Sequence, residues 1–312
     1  MTTSLNGVRP TIGWIGLGKM GTPIVRNLLK AGFDVTVFDV DTQRIAELGA
    51  EGAKPATSVA GLCASASIIV SIIPDDAVLL KIALGDGGIV AHAAVGAIYV
   101  DMSTVSPAAS VRVRDAARER GMAYIGAPVS GSTVLAEKGQ LTVFASGPHD
   151  AYERVRPMFE ALSAKQYYVG DDQQARYLKL AINHLVGSTA VLLGEALTLG
   201  RKGGLDWVQM LDVIGDSVVA SPLVKYKLDP LRQRNFAPAF SSRQMLKDMS
   251  LVVDAGEHAG VPMAAAALVR DQFSVYASGD GAELDFFSIV RAVEAAAHLQ
   301  GVGHDSDAQT SR

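Results

Sequence analysis

Residues 11–21 read Thr-Ile-Gly-Trp-Ile-Gly-Leu-Gly-Lys-Met-Gly, and their reading decides the fold. The run Thr11 to Gly16 is short, apolar and rich in β-branched side chains, the composition of a buried strand. Glycines follow at Gly16, Gly18 and Gly21, and a helix-compatible segment to about Lys30 opens where they end. Strand, G-x-G-x-x-G and helix in that order predict a dinucleotide-binding turn. Gly16 permits the tight turn, Gly18 lets a pyrophosphate approach the backbone, and Gly21 lets helix and strand pack closely. The loop, with Leu17, Lys19 and Met20 between its glycines, is therefore a candidate phosphate cradle. A helix N-terminus completes it with N–H groups and the positive end of a dipole.

Working outward, Asp34 to Asp39, Ser67 to Ile73 and Ala97 to Asp101 read as further strands, with helical patterns between them. Two of these runs, Val35 to Phe38 and Ile68 to Ile73, lack polar alternation, which suits parallel strands covered on both faces. The fold class expected is α/β, a Rossmann-type doubly wound sheet. Asp39 ends the second strand 18 residues after Gly21, where a carboxylate reaches the ribose hydroxyls of a bound dinucleotide. Val40 and Asp41 follow, with no arginine for a 2′-phosphate, and two carboxylates repel one. The reading is NAD in preference to NADP. Arg44 on the next helix keeps NADP possible.

Leu141 to Ser146 and Gln166 to Val169 add two later strands, with a helix between them starting near Asp150. Beyond Gly170 no strand is expected. Helical patterns continue to about Leu299, and the apolar segment 173–202 ends at Gly203-Gly204. The organisation expected is a lead-in over 1–10, a dinucleotide-binding domain over 11–172, an interdomain helix over 173–202, an all-α substrate and dimerisation domain over 203–299, and a flexible tail over 300–312. Ligands favour such domain junctions.

The 312 residues include 28 Lys plus Arg against 32 Asp plus Glu, a net charge of -4. That balance lacks the basic excess of a nucleic-acid binder. Cys63 is the one cysteine, so an intramolecular disulfide and a multi-cysteine metal site are excluded, and a cytoplasmic setting is expected. The stretch Leu180 to Leu199 is apolar but carries Asn183, His184 and Glu195, which favours a helix buried in protein over a membrane span. The six histidines show no clustered ligand spacing, so no metal is expected.

Several motifs appear in order along the chain: Gly16 to Pro23 with Asn27-Leu28, Asp101-Met102-Ser103-Thr104, Ala127-Pro128-Val129-Ser130-Gly131, Gly139-Gln140-Leu141-Thr142, Lys179 with Asn183, and Lys247-Asp248. In this order the sequence resembles the β-hydroxyacid dehydrogenases, from Ile12 to about His298. The resemblance implies an oxidoreductase acting on a small carboxylate substrate, usually assembled as a homodimer or homotetramer. It implies Lys179 as catalytic lysine and Asn183 as substrate-orienting asparagine. Ser130 and Gly131 correspond to positions that hold the substrate carboxylate. Ile73 and Pro74 correspond to backbone contacts to the cofactor, Thr104 to a position beside it, and Lys247 to a lysine reaching its nicotinamide end.

The residues themselves support part of this. Lys179 and Asn183 are four apart and share a helix face, and the same stripe continues through Gly187, Ala190 and Gly194. Read alone, residues 128–133 are a turn, Thr104 is a cap for the helix near Pro107, and Lys247-Asp248 and Lys225-Tyr226-Lys227 are solvated faces. His184, turned about 100° from Asn183, reads as a packing residue. Three positions depart from the family pattern: Ser132 in place of a second glycine, His184 in place of a second asparagine, and Val78 in place of a cofactor-contacting asparagine. They bear on substrate identity. Imine reductases share the overall fold, but Lys179 and Asp39 argue against that chemistry, and a noncatalytic nucleotide-binding module would not need the lysine.

Overall fold

The strand opened at Ile12 lies inside a nine-stranded sheet in a computed structural model that describes residues 10–299. The strands are β1 (Ile12–Ile15), β2 (Val35–Phe38), β3 (Lys54–Pro55), β4 (Ile68–Ser71), β5 (Ile98–Asp101), β6 (Ala123–Gly126), β7 (Val129–Ser130), β8 (Leu141–Ser146) and β9 (Ser163–Gly170). Their order is β3-β2-β1-β4-β5-β6-β8-β7, with β9 paired to β8. The first six pair in parallel, with Ile12 opposite both Val35 and Ile68, and Ile98 opposite Ala123. β8 runs antiparallel to β6 and β7. The order reverses between β1 and β4, the switch point outside which doubly wound sheets bind ligands. Apart from Pro10, the expected lead-in over 1–10 lies outside the described residues, as does the tail over 300–312.

Strand periodicity explains the two-sided burial. Ile12 and Trp14 of β1, Ile68 and Val70 of β4, and Ile98 and Val100 of β5 point to one face and join a core with the helices Gly21–Lys30 and His149–Leu162. Ile15, Ile69 and Tyr99, one residue out of phase, meet Leu62, Cys63 and Val113 on the other face. An alternating pattern is therefore absent from these strands because neither face is wet. The helix expected near Asp150 starts at His149. β3, β6 and β7 were not expected. β3 and β7 are two residues long, short of a strand signal, and β6 lies between Gly121 and Pro128, flanks that read as turns.

The chain divides into two compact units, one ending at Lys179 and the other starting at Leu180. The boundary falls within the helix Gln174–Lys202. By length and apolar composition this helix could cross a membrane, and 44% of its most apolar window is buried inside the protein. The second unit contains the remainder of that helix, the helices Trp207–Asp216, Pro222–Arg232, Ser242–His258, Ala264–Ala277 and Val290–Ala296, and a 3₁₀ turn Phe286–Ile289. Its described residues contain no strand. Leu193, Leu197, Trp207, Met249 and Phe273 are among its buried core. Ser241 starts Ser242–His258 with a capping box closed by Gln244.

One expectation fails here for a clear reason. Lys225 and Tyr226 are exposed, but Lys227 is buried, not part of a solvated face. Its Nζ lies 2.8 and 2.7 Å from the two carboxylate oxygens of Asp285, and 5.0 Å from the Phe286 ring centroid. A buried ammonium is tolerated because both a carboxylate and aromatic faces meet it.

Candidate active site

The glycine loop has the form its sequence predicts. Gly16 adopts φ +98°, and a Cβ there would stand 2.2 Å from the Ile72 carbonyl oxygen. A Cβ on Gly21 would stand 1.9 Å from the Gly16 carbonyl oxygen, so the helix Gly21–Lys30 can start this close to β1 only without a side chain. Gly18 is open: the nearest group to a Cβ there would be Arg44 Nη1 at 3.9 Å. No side chain caps the helix start. Open backbone at Gly18, next to an uncapped helix N-terminus, fits a pyrophosphate.

Leu17 and Asp39 lock the loop to the end of β2. The Leu17 side chain is in the core, and its N–H donates to Asp39 Oδ2 at 2.6 Å. Asp39 Oδ1 accepts the Asp41 N–H at 2.8 Å. Each carboxylate oxygen keeps a lone pair for a ribose hydroxyl. Leu17 thus serves the loop through this bond and has no side chain to offer a ligand. Asp41 caps the helix Thr42–Ala50 and lies 3.1 Å from Arg44 Nε, while Val40 is exposed. Lys19 is exposed and Met20 half-buried on the loop's outer turn.

The ends of β4 and β5 bring the next expected residues alongside. The Ile73 N–H donates to Ser103 Oγ at 2.9 Å, so only its carbonyl remains for a ligand, and Pro74 is exposed. Thr104 is half-buried and does not cap the helix Pro107–Glu119. Ser106 does, accepting from Ala109 N–H at 3.0 Å. Val78 sits in the first turn of Asp76–Leu84, its N–H bound to Asp75 Oδ1 at 2.9 Å. Ser130 ends β7 opposite Thr142, and Gly131 turns the chain with φ +138°. Ser132 precedes the short helix Thr133–Glu137 without capping it through its side chain.

Lys179 and Asn183 lie one turn apart on Gln174–Lys202. Lys179 is half-buried, Asn183 buried. Asn183 Nδ2 donates to Asp248 Oδ2 at 2.5 Å, and the buried Asp248 has its Oδ1 2.8 Å from Lys247 Nζ. Lys247-Asp248 is therefore no solvated pair: Asp248 fixes the Asn183 amide, leaving its second N–H for another acceptor. His184 points elsewhere, with Nδ1 3.3 Å from Ser188 Oγ one turn on. The small-residue stripe has a packing cause as well. A Cβ on Gly187 would stand 2.7 Å from Met249 Sδ, and one on Gly194 3.2 Å from Val290 Cα.

Two features escaped the sequence reading. Asp248 was visible only as half of a motif, because its partner Asn183 is distant in the chain. Arg176, three residues before Lys179, is buried in the first unit against Asp101, for which an isolated arginine in a helical run gives no signal. Among the described residues no group of three or more His, Cys, Asp or Glu side chains is arranged to hold a metal ion.

The glycine cradle, the carboxylate at the end of β2 and the switch point between β1 and β4 define a dinucleotide-binding fold. Comparison with known proteins narrows the class. Residues 11–170 match the NAD-binding domain of 6-phosphogluconate dehydrogenase, and residues 174–293 match the NAD-binding domain of NADP-dependent 3-hydroxyisobutyrate dehydrogenase. A 2-(hydroxymethyl)glutarate dehydrogenase of Eubacterium barkeri is 34% identical, over 84% of this chain and 87% of its own. A 3-hydroxyisobutyrate dehydrogenase of Pseudomonas aeruginosa is 32% identical, over 89% of this chain and 96% of its own. The solved 3-hydroxyisobutyrate dehydrogenase of Mycobacterium tuberculosis with L-serine superposes at a TM-score of 0.83 with 26% identity, covering 92% of this chain and 99% of that one. The chain belongs to the β-hydroxyacid dehydrogenase family, enzymes that use a nicotinamide cofactor.

Proposed function

We propose that the enzyme interconverts a small β-hydroxy acid and its semialdehyde or β-keto acid, with NAD preferred and Lys179 as general acid–base. The observation that carries this reading is the pair Lys179 and Asn183 one helical turn apart, with the Asn183 amide oriented by Asp248 at 2.5 Å. Bound NAD supplies the hydride acceptor at its nicotinamide ring. In oxidation, neutral Lys179 takes the hydroxyl proton at Nζ as the carbinol C–H bond breaks and the carbonyl forms. In reduction, the ammonium returns that proton to the nascent alkoxide. The Ser130 hydroxyl, the Gly131 N–H and the remaining Asn183 N–H hold the substrate carboxylate, fixing which carbon faces the cofactor.

The cradle Gly16–Gly21, Asp39, the Ile73 carbonyl, Pro74, Thr104 and Lys247 hold the cofactor in this reading. Preference for NAD rests on Asp39 and on Asp41, which places a second negative charge beside the ribose and engages Arg44 at 3.1 Å. A homo-oligomer is proposed from Leu185, Leu192 and Leu199, which recur every seven residues along one helix and are 67%, 62% and 75% exposed. A cytoplasmic setting, with neither nucleic acid nor membrane as partner, completes the proposal.

Steady-state nicotinamide absorbance with NAD or NADP and a panel of short β-hydroxy acids, including 3-hydroxyisobutyrate, serine, glycerate and threonate, tests the reading. Turnover with NAD and a panel acid is the result expected. Silence across the panel, from folded protein that binds NAD, contradicts it.

A further inference from the structure

The first turn of the helix that carries Lys179 holds a side chain for which the proposed chemistry has no use. Arg176 is 1% exposed, and its guanidinium is spent within the first unit. Nη1 donates to the Ser103 carbonyl at 2.7 Å. Nη2 donates to Asp101 Oδ2 at 2.6 Å, to the Tyr124 hydroxyl at 2.8 Å and to the Asp101 carbonyl at 3.2 Å. Nε donates to Ser110 Oγ at 3.2 Å. The sheet is hollowed to admit this group, since a Cβ on Gly126 of β6 would stand 3.2 Å from Arg176 Nε.

Asp101 carries the network onward. Its Oδ1 accepts from Ser71 Oγ at 2.8 Å and from Ser103 Oγ at 2.6 Å, and the same Ser103 Oγ accepts the Ile73 N–H. One buried ion pair therefore ties the ends of β4 and β5, with the loops bearing Ile73 and Thr104, to the helical turn that ends at Lys179. Stability alone is a weak reason for such a pair, because well-packed apolar residues often replace one at no cost. What an apolar cluster would not supply is a directional, five-bond fork that fixes the helix in one register against two strand ends.

We infer that Arg176 is a positioning residue for proton transfer: through Asp101 and Ser103 it sets the Lys179 turn relative to the strand ends that bear Ile73 and Thr104. The inference rests on the reading of Lys179 as general acid–base. Two variants test it in the intact enzyme with NAD and the most active panel acid. Arg176→Lys keeps the charge but replaces the planar fork with a point donor. Tyr124→Phe removes one hydroxyl from the network and leaves its ring.

The readouts are the kcat–pH profile, KM for the acid, NAD binding by fluorescence quenching and thermal unfolding. Arg176→Lys is expected to bind NAD as the parent does, to lose about tenfold or more in kcat with little change in KM, and to move the acidic limb of the profile by about half a unit. Tyr124→Phe is expected to move the same readouts in the same direction by about threefold in kcat. It decides the matter by itself if Arg176→Lys does not fold. Parent kcat and an unmoved acidic limb in folded variants, whatever their melting temperature, would overturn the inference and leave a purely structural ion pair. Lys179→Ala separates the two ideas. If it retains turnover, the acid–base reading fails and this inference with it. If it is inactive while the folded network variants behave as the parent, this inference alone fails.

Discussion

Asp39 anchors the glycine loop and the turn after β2 with one carboxylate, because Oδ2 accepts the Leu17 N–H at 2.6 Å and Oδ1 the Asp41 N–H at 2.8 Å. Asp39→Ala removes both anchors and the negative charge. We expect NAD affinity to fall by about 1.5–3 kcal/mol, roughly ten- to a hundredfold, with NADP affected less. Titration of both cofactors into the variant checks this, and equal losses would remove Asp39 as the selective group. Cys63 gives a pH-dependent expectation. Burial against the sheet pushes its thiol up to about 12. The neutral thiol is favoured in the folded state, so its contribution to stability is complete below the unfolded thiol's titration near ~8.5 and is lost as pH rises from there toward about 12. A thiol reagent at pH 8 should label the protein only as it unfolds. Stoichiometric labelling of folded enzyme would contradict this burial. At this scale the sequence was informative where a residue's task is local. Gly16 and Asp39 act within a turn or a strand end. The partners of Asn183 and Arg176 are set by tertiary contact with Asp248 and Asp101, and no spacing rule links them.

Among the elements, Gln174–Lys202 was legible as one helix because its mostly apolar stretch holds no proline and its stop is Gly203-Gly204. What packs on its small-residue stripe was not legible, since Met245 and Met249 come from Ser242–His258. Gly187→Leu forces bulk into that contact. A lowering of stability by ~1–3 kcal/mol is expected, seen as a reduced melting temperature, with Gly187→Ala costing less because the thioether of Met249 is flexible. Unchanged stability in the leucine variant would mean the two helices are not in close contact. β4 and β6 make a similar contrast. Ile68 to Ser71 was readable from an unbroken apolar run, whereas Ala123 to Gly126 is flanked by turn formers and becomes a strand by pairing with β5. Lys227 is the clearest failure of periodicity: Lys225 and Tyr226 are exposed, and a buried Asp285 decides the fate of the next residue.

For the molecule as a whole, a doubly wound sheet and an all-helical unit share one continuous helix, and the chain divides into compact units inside it. The exposed leucines at 185, 192 and 199 lie beyond that division. Light scattering should report a dimer or larger assembly, and Leu185→Asp with Leu192→Asp should lower its mass. A monomer at micromolar concentration would contradict the proposed assembly. The central claim is the role of Lys179, and it is tested most directly by single-turnover hydride transfer in Lys179→Ala with NAD bound. We predict a fall of about a hundredfold or more in the transfer rate, with NAD affinity retained. Transfer at the parent rate would contradict the account.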